Sequence, residues 1–325
     1  MSADYHGLAD EDLRPHSRLR EAIGDAVDLE FGAPGTEGDL IEALGGIDVV
    51  FATSRLPLSR RVLEATDLSI VAKVGTGIDN VDLEAADDLG IATTYTPGAN
   101  ALAVAEHTVG LLLSVSHRIA AGDDLLRAGG WRDDFTPGIQ LSGKPIGIVG
   151  CGDVGSRVAQ LLTGFGGEIL AHDPYIEPMD AELGGASLVG FEELLERSHA
   201  VTVNAELTGE TRGMFDAAAF DRMRDGAILV NTARGPIVEE AALIDALASG
   251  KLRGAGLDVF EEEPPEESPL LDRDDVVVTP HVAAATEESR ARTLELIARN
   301  VRALLAGKPI DDRFVAKPDE KWNRY

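Results

Sequence analysis

The sequence is short of three things: cysteine, lysine and long apolar runs. Cys151 is the only cysteine. No internal disulfide can form, and a reducing, cytoplasmic setting is the default expectation. No apolar stretch approaches the roughly 18 to 20 residues that cross a bilayer. The acidic start, MSADYHGLADEDLRPH, lacks the apolar centre of a signal peptide, so none is expected. Positive charge is scarce. Lys and Arg total 29 against 57 Asp and Glu, a net charge of −28. The lysines are only Lys73, Lys144, Lys251, Lys308, Lys317 and Lys321. Such a chain repels nucleic-acid phosphates and anionic lipids, so neither is an expected partner. The same imbalance reads as a halophilic surface, where dense carboxylates hold water and dissolved salt screens their repulsion.

What is present is a globular composition, 44% hydrophobic and 26% charged, over 325 residues. That length exceeds a single comfortable core and implies two domains. Strand-like apolar runs alternate with helical spacing, the mark of an α/β protein with parallel sheets. In the first third the runs are IDVVFA (47–52), LSIVAKV (68–74) and GIAT (90–93), with DAVDLEF (25–31) a plausible fourth. No strong strand precedes it. Residues 101–119 predict a long helix, apolar over more of its circumference than one domain face requires. It suits burial between domains or against another subunit. The pattern then restarts with KPIGIVG (144–150), followed by GEILAHD, HAVTVN, GAILVNT, GAGLDVF and VVVTPH, with helices between. Six such strands with right-handed crossovers make a doubly wound sheet.

The run IGIV leads into Gly150-Cys151-Gly152-Asp153-Val154-Gly155 and then a helix. Between a strand and a helix, G-x-G-x-x-G predicts a dinucleotide cradle. The glycines allow a tight turn, close approach of a pyrophosphate, and close helix packing. The helix N-terminus adds unpaired N–H groups and partial positive charge. Asp173 ends the next strand, where a carboxylate would accept from the ribose hydroxyls and repel a 2′-phosphate. NAD is therefore expected rather than NADP.

Three later strands end on residues with complementary chemistry. Arg234, Asp258 and His281 each follow an apolar run, and ligands in such sheets sit beyond the carboxyl strand ends. Glu263 lies in the loop after the Asp258 strand. Histidine can accept the hydroxyl proton as hydride leaves for a nicotinamide. A carboxylate behind the ring fixes its tautomer. Arginine clamps a carboxylate. No metal is expected.

The sequence resembles the D-isomer-specific 2-hydroxyacid dehydrogenase family. The resemblance is carried by KVGTGIDNVD (73–82), ANALAVAEHTVGLLL (99–113), GIVGCGDVGSRVA (147–159), NTARGPIVEEAAL (231–243), GLDVFEEEP (256–264) and VVVTPHVAAAT (276–286). It implies a Rossmann-type doubly wound parallel sheet, residues 101–285, inserted into a flavodoxin-like substrate domain of residues 1–100 and 286–325. It implies catalysis by Arg234, Glu263 and His281. Substrate binding falls to the N–H groups of Val74, Gly75, Thr76 and Gly77, with Arg234 and His281. Cofactor contacts fall to Thr76, Gly150, Gly152, Asp153, Val154, Gly155, Asp173, Ala205, Thr232, Ala233, Asp258, Ala283 and Ala284. The implied activity is NAD-dependent interconversion of a small D-2-hydroxy acid and its 2-keto acid, by a homodimer joined through the 101–119 helix. Both 3-phosphoglycerate oxidation and glyoxylate or hydroxypyruvate reduction belong to that class. An NAD-sensing regulatory protein on the same fold is the reading from another class.

Two departures stand out. Glu206 occupies a position where many members carry proline, and its charge falls on the adenine side of the cofactor. Thr53-Ser54-Arg55-Leu56-Pro57 replaces the Arg-Ser-and-Lys pattern of members that take a phosphorylated substrate, which leaves phosphate recognition open. No further C-terminal domain is expected after Gly307.

Overall fold

In the computed structural model, which describes residues 4–318, each apolar run named above becomes a strand, and two more strands join them. The termini of the expected substrate domain, 1–3 and 319–325, lie outside the described residues. The chain forms two compact units. One comprises the residues up to Asn100 with those from Thr286 onward; the other is Ala101–Ala285.

The first unit holds strands β1 (His6–Asp10), β2 (Asp28–Ala33), β3 (Val49–Ala52), β4 (Ile70–Lys73) and β5 (Ala92–Thr94). They form one parallel sheet in the order β2-β1-β3-β4-β5, the flavodoxin-like arrangement. The unanticipated β1 reads His-Gly-Leu-Ala-Asp and has little apolar character of its own. It is a strand because β2 and β3 pair with it on both sides, Gly7 facing Leu29 and Val49. Helices α1 (His16–Ile23), α2 (Glu37–Ala43), α3 (Arg60–Glu64) and α4 (Leu83–Asp88) connect the strands, and the late helix α12 (Glu287–Leu305) completes the unit. Thr286 caps α12 by accepting from the Ser289 N–H at 3.2 Å. Its Leu294, Ile297, Ala298 and Val301 join Val49, Phe51, Ile70 and Ala72 in one core cluster. Each fully buried side chain of leucine size contributes roughly 1.5 to 3 kcal/mol.

The second unit opens with α5 (Ala101–His117) and α6 (Ile119–Arg127). The expected single helix over 101–119 thus breaks at Arg118, which takes a left-handed φ of 55°. The high apolar content of α5 has a use within this unit: it packs on α7 (Gly155–Leu162) and on the sheet. The strands are β6 (Ile146–Val149), β7 (Ile169–His172), β8 (Ser187–Leu188), β9 (Ala200–Val203), β10 (Ala227–Asn231), β11 (Leu252–Leu257) and β12 (Val276–Val278), interleaved with α8 (Pro178–Leu183), α9 (Phe191–Arg197), α10 (Ala217–Arg222) and α11 (Glu240–Ala248). All are parallel, in the order β12-β11-β10-β9-β6-β7-β8. The order reverses between β6 and β9, the switch point at which doubly wound sheets bind ligands. Strand β8 was not anticipated: it is two residues long, at the sheet edge and without an apolar run. Among the described residues, no helix is long and apolar enough to cross a membrane.

Candidate active site

The glycine cradle sits at the switch point. Gly150 follows β6 with φ 84°, and an added Cβ would meet the Ala205 backbone at 2.5 Å. Only glycine lets these loops approach so closely. Gly155 starts α7, aiming that helix's N-terminal N–H groups at the cradle. The Asp173 carboxylate accepts from the Cys151 N–H at 2.9 Å and the Tyr175 N–H at 3.0 Å, so it braces the turn as well as ending β7. Gly152 and Val154 are half-buried, and the exposed Asp153 faces Arg157 at 3.3 Å. Burial, then the neighbouring Asp173 charge, pushes the Cys151 thiol up to about 11, which keeps it protonated and inert. A cradle closed to a Cβ at Gly150 and Gly155, a helix N-terminus and a carboxylate at the next strand end fit a dinucleotide.

At the far strands, His281 and Glu263 meet: Nδ1 lies 2.7 Å from Oε2, each side chain about a third exposed. If Nδ1 carries the proton, it donates to the carboxylate and leaves Nε2 as acceptor. Burial pushes the Glu263 carboxyl up, but the bond from His281, its charge, the Phe260 N–H and the Arg234 charge together hold it below the usual carboxylate range. Arg234 is therefore within electrostatic reach of the pair. The two loops also touch directly, since an added Cβ at Gly235 would fall 1.8 Å from the Phe260 carbonyl oxygen.

Buried polar residues hold these loops. Asp258, fully buried after β11, accepts from the Thr279 hydroxyl at 2.6 Å and from the N–H groups of Val282 and Ala283 at 2.9 Å each. Its carboxylate shapes the turn that carries His281. That turn puts His281 in the left-handed region with φ 52°, at a cost of roughly 1 to 3 kcal/mol for a non-glycine residue. Ala283 is buried and Ala284 half-buried. Asn231, at the end of β10, donates to the Arg234 carbonyl at 2.9 Å and accepts from the Ala233 N–H at 3.0 Å. The Thr232 hydroxyl meets that of Thr108 at 2.7 Å. His107 on α5 reaches the Thr279 hydroxyl at 3.0 Å. Sequence reasoning gave Asn231 and His107 no role. A polar residue closing an all-apolar strand was the available signal for Asn231.

In the first unit, the expected substrate loop Val74–Gly77 directly follows β4. The Val74 N–H donates to Ala52 at 2.8 Å, extending the β3–β4 ladder, and the Gly75 N–H donates to the Thr96 hydroxyl at 2.9 Å. Both N–H groups are thus already bonded within the unit. The Thr76 hydroxyl donates to Asn100 Oδ1 at 2.9 Å.

A doubly wound parallel sheet with a cradle at its switch point defines a dinucleotide-binding protein. Residues 109–283 match the family described as D-isomer specific 2-hydroxyacid dehydrogenase, NAD binding domain. The chain is 39% identical to a D-3-phosphoglycerate dehydrogenase of Mycobacterium leprae over 292 residues, 90% of this chain and 55% of the relative. It therefore spans about half the length of such relatives. It is 36% identical to a glyoxylate reductase of Thermofilum pendens, covering 90% of this chain and 88% of that one. Among solved structures, a glyoxylate reductase from Paecilomyes thermophila superposes with a TM-score of 0.86 at 30% identity, over 95% of this chain and 98% of the other. The chain belongs to the D-isomer specific 2-hydroxyacid dehydrogenase family, and its second unit is that family's NAD-binding domain.

Proposed function

We propose that the protein is an NAD-dependent dehydrogenase that interconverts a small D-2-hydroxy acid and its 2-keto acid. The carrying observation is the 2.7 Å contact between His281 Nδ1 and Glu263 Oε2 within reach of the Arg234 charge. Bound NAD supplies a hydride acceptor. In oxidation, His281 takes the hydroxyl proton at Nε2, while Glu263 fixes Nδ1–H and stabilises the charged ring. Arg234 orients the substrate carboxylate; the Val74–Gly77 loop of the first unit is the substrate loop that the family resemblance implies. In reduction, His281 returns the proton to the developing hydroxyl. Asp258 and Asn231 hold the loops that present these groups. The first unit serves as the substrate domain. The partner is a second copy of this chain, docked through the α5–α6 region, where Ile119, Leu126 and Trp131 are each more than half exposed. The acidic surface is a salt adaptation.

The test is His281→Gln. Turnover of keto acids with NADH should fall on the order of 100-fold or more while NADH binding, followed by fluorescence titration, is retained. Near-normal turnover would remove His281 from the chemistry. Tight NADH binding without turnover of any keto acid in the unsubstituted protein would instead mark a cofactor sensor.

A further inference from the structure

Two consecutive residues of α5 reach the loops that carry Arg234 and His281, all within the second unit. His107 Nε2 lies 3.0 Å from the hydroxyl of Thr279, just before His281. The buried Thr108 hydroxyl lies 2.7 Å from that of Thr232, just before Arg234. Helix α5 packs on β10, β11 and β12, and β11 is the middle strand of the three. The helix comes close because β11 carries glycines beneath it. An added Cβ at Gly254 would fall 2.9 Å from Val115, and one at Gly256 3.0 Å from Leu111. Successive side chains on a helix point about 100° apart, so neighbours can address different loops.

The directions of the bonds follow from the acceptors. The Thr279 hydroxyl donates to the buried Asp258 carboxylate at 2.6 Å. A hydroxyl has one proton, so toward His107 it can only accept, and Nε2 carries a ring proton. Nε2 itself stands 3.6 Å from Asp258 Oδ1, which makes the hydroxyl the link between them. Asp258 in turn accepts from the Val282 and Ala283 N–H groups on the far side of His281. In the second arm, the Thr108 hydroxyl donates to the Val104 carbonyl at 2.8 Å and therefore accepts from Thr232. Each arm is a directed chain from helix to loop. The first one steadies the turn in which His281 takes its left-handed φ of 52°.

We propose that His107 and Thr108 are positioning residues: α5 sets where His281 and Arg234 stand, His107 through Thr279 and Asp258, Thr108 through Thr232. The proposal rests on the dehydrogenase reading above and deepens it.

The experiment uses the full chain and whichever of glyoxylate, hydroxypyruvate or pyruvate the unsubstituted protein reduces. It measures the single-turnover rate with NADH, the KM for the keto acid, and NADH affinity by fluorescence titration. His107→Leu removes the donor and keeps apolar bulk. Its single-turnover rate should fall about tenfold, the worth of one neutral hydrogen bond, with NADH affinity within about twofold of the unsubstituted protein. His107→Gln restores an N–H donor and should recover the rate to within about threefold. Thr108→Val removes the acceptor and keeps the shape. It should raise the KM for the keto acid about fivefold, and Thr108→Ser should restore it. A folded His107→Leu with a rate within about twofold of the unsubstituted protein overturns the proposal. So does His107→Gln falling as far as His107→Leu, since ring packing alone would then matter. Should His107→Leu fail to fold by circular dichroism, the second arm decides. A KM that Thr108→Val leaves unmoved, or that Thr108→Ser does not restore, overturns the proposal. Each of these results leaves the dehydrogenase reading standing, whereas no reduction of any keto acid by the unsubstituted protein overturns both.

Discussion

The two units are both parallel doubly wound sheets with loops at their carboxyl edges, yet each spends its buried carboxylate differently. In the second unit, Asp258 accepts from two backbone N–H groups and a hydroxyl. In the first, Asp10 accepts chiefly from a guanidinium. A carboxylate bonded to backbone fixes the path of a loop, here the left-handed turn at His281. Asp10 cancels the arginine charge and, by also accepting from the Asp12 N–H at 3.1 Å and the Thr53 hydroxyl, braces its own loop. One device holds the turn that carries His281; the other neutralises the Arg55 guanidinium. Glu263 stands between them, placed by the Phe260 N–H yet held ionised by His281 and Arg234.

Removing the geometric device should have the largest effect. Asp258→Ala strands three donors in the interior and should cost about 2 to 5 kcal/mol of stability, with turnover lower by on the order of 100-fold from misplacement of His281. Denaturant unfolding and single-turnover rates check both. Turnover close to normal would show that the turn holds itself. A smaller effect is expected at the cradle, where Asp173 combines both uses. Asp173→Asn keeps an acceptor for one of the two N–H groups but removes the charge, so the preference for NAD over NADP should narrow by about tenfold, read from the two kcat/KM values. Unchanged selectivity would leave Asp173 as a brace alone. The smallest effect concerns surface charge, which neither device uses. Raising salt from about 0.1 M to about 2 M should raise the Tm by several degrees, an effect of ~1–2 kcal/mol. A Tm indifferent to salt would sink the halophilic reading.

Legibility followed the range of the interaction. The cradle could be read because glycines, strand and helix are contiguous and the φ of 84° at Gly150 belongs to its own turn; the close approach of Ala205 to Gly150 could not. The places of Arg234, Asp258 and His281 just beyond β10, β11 and β12 could be read because each follows an apolar run. Strand β1 could not, since its pairing with β2 and β3 supplies what its own residues lack. The state of Val74 and Gly75 could not either: their N–H groups are consumed by Ala52 and Thr96, more than twenty residues away in each direction.

The order of apolar runs and the glycine spacing, which act between near neighbours, were enough to determine two parallel α/β units, a dinucleotide cradle and an acidic surface. Which buried carboxylate faces backbone and which faces arginine was decided only by the tertiary structure. Asp10 and Arg55 lie 45 residues apart and Asp258 and Ala283 lie 25 apart, and only the packing of separate strands brings their atoms within hydrogen-bond distance.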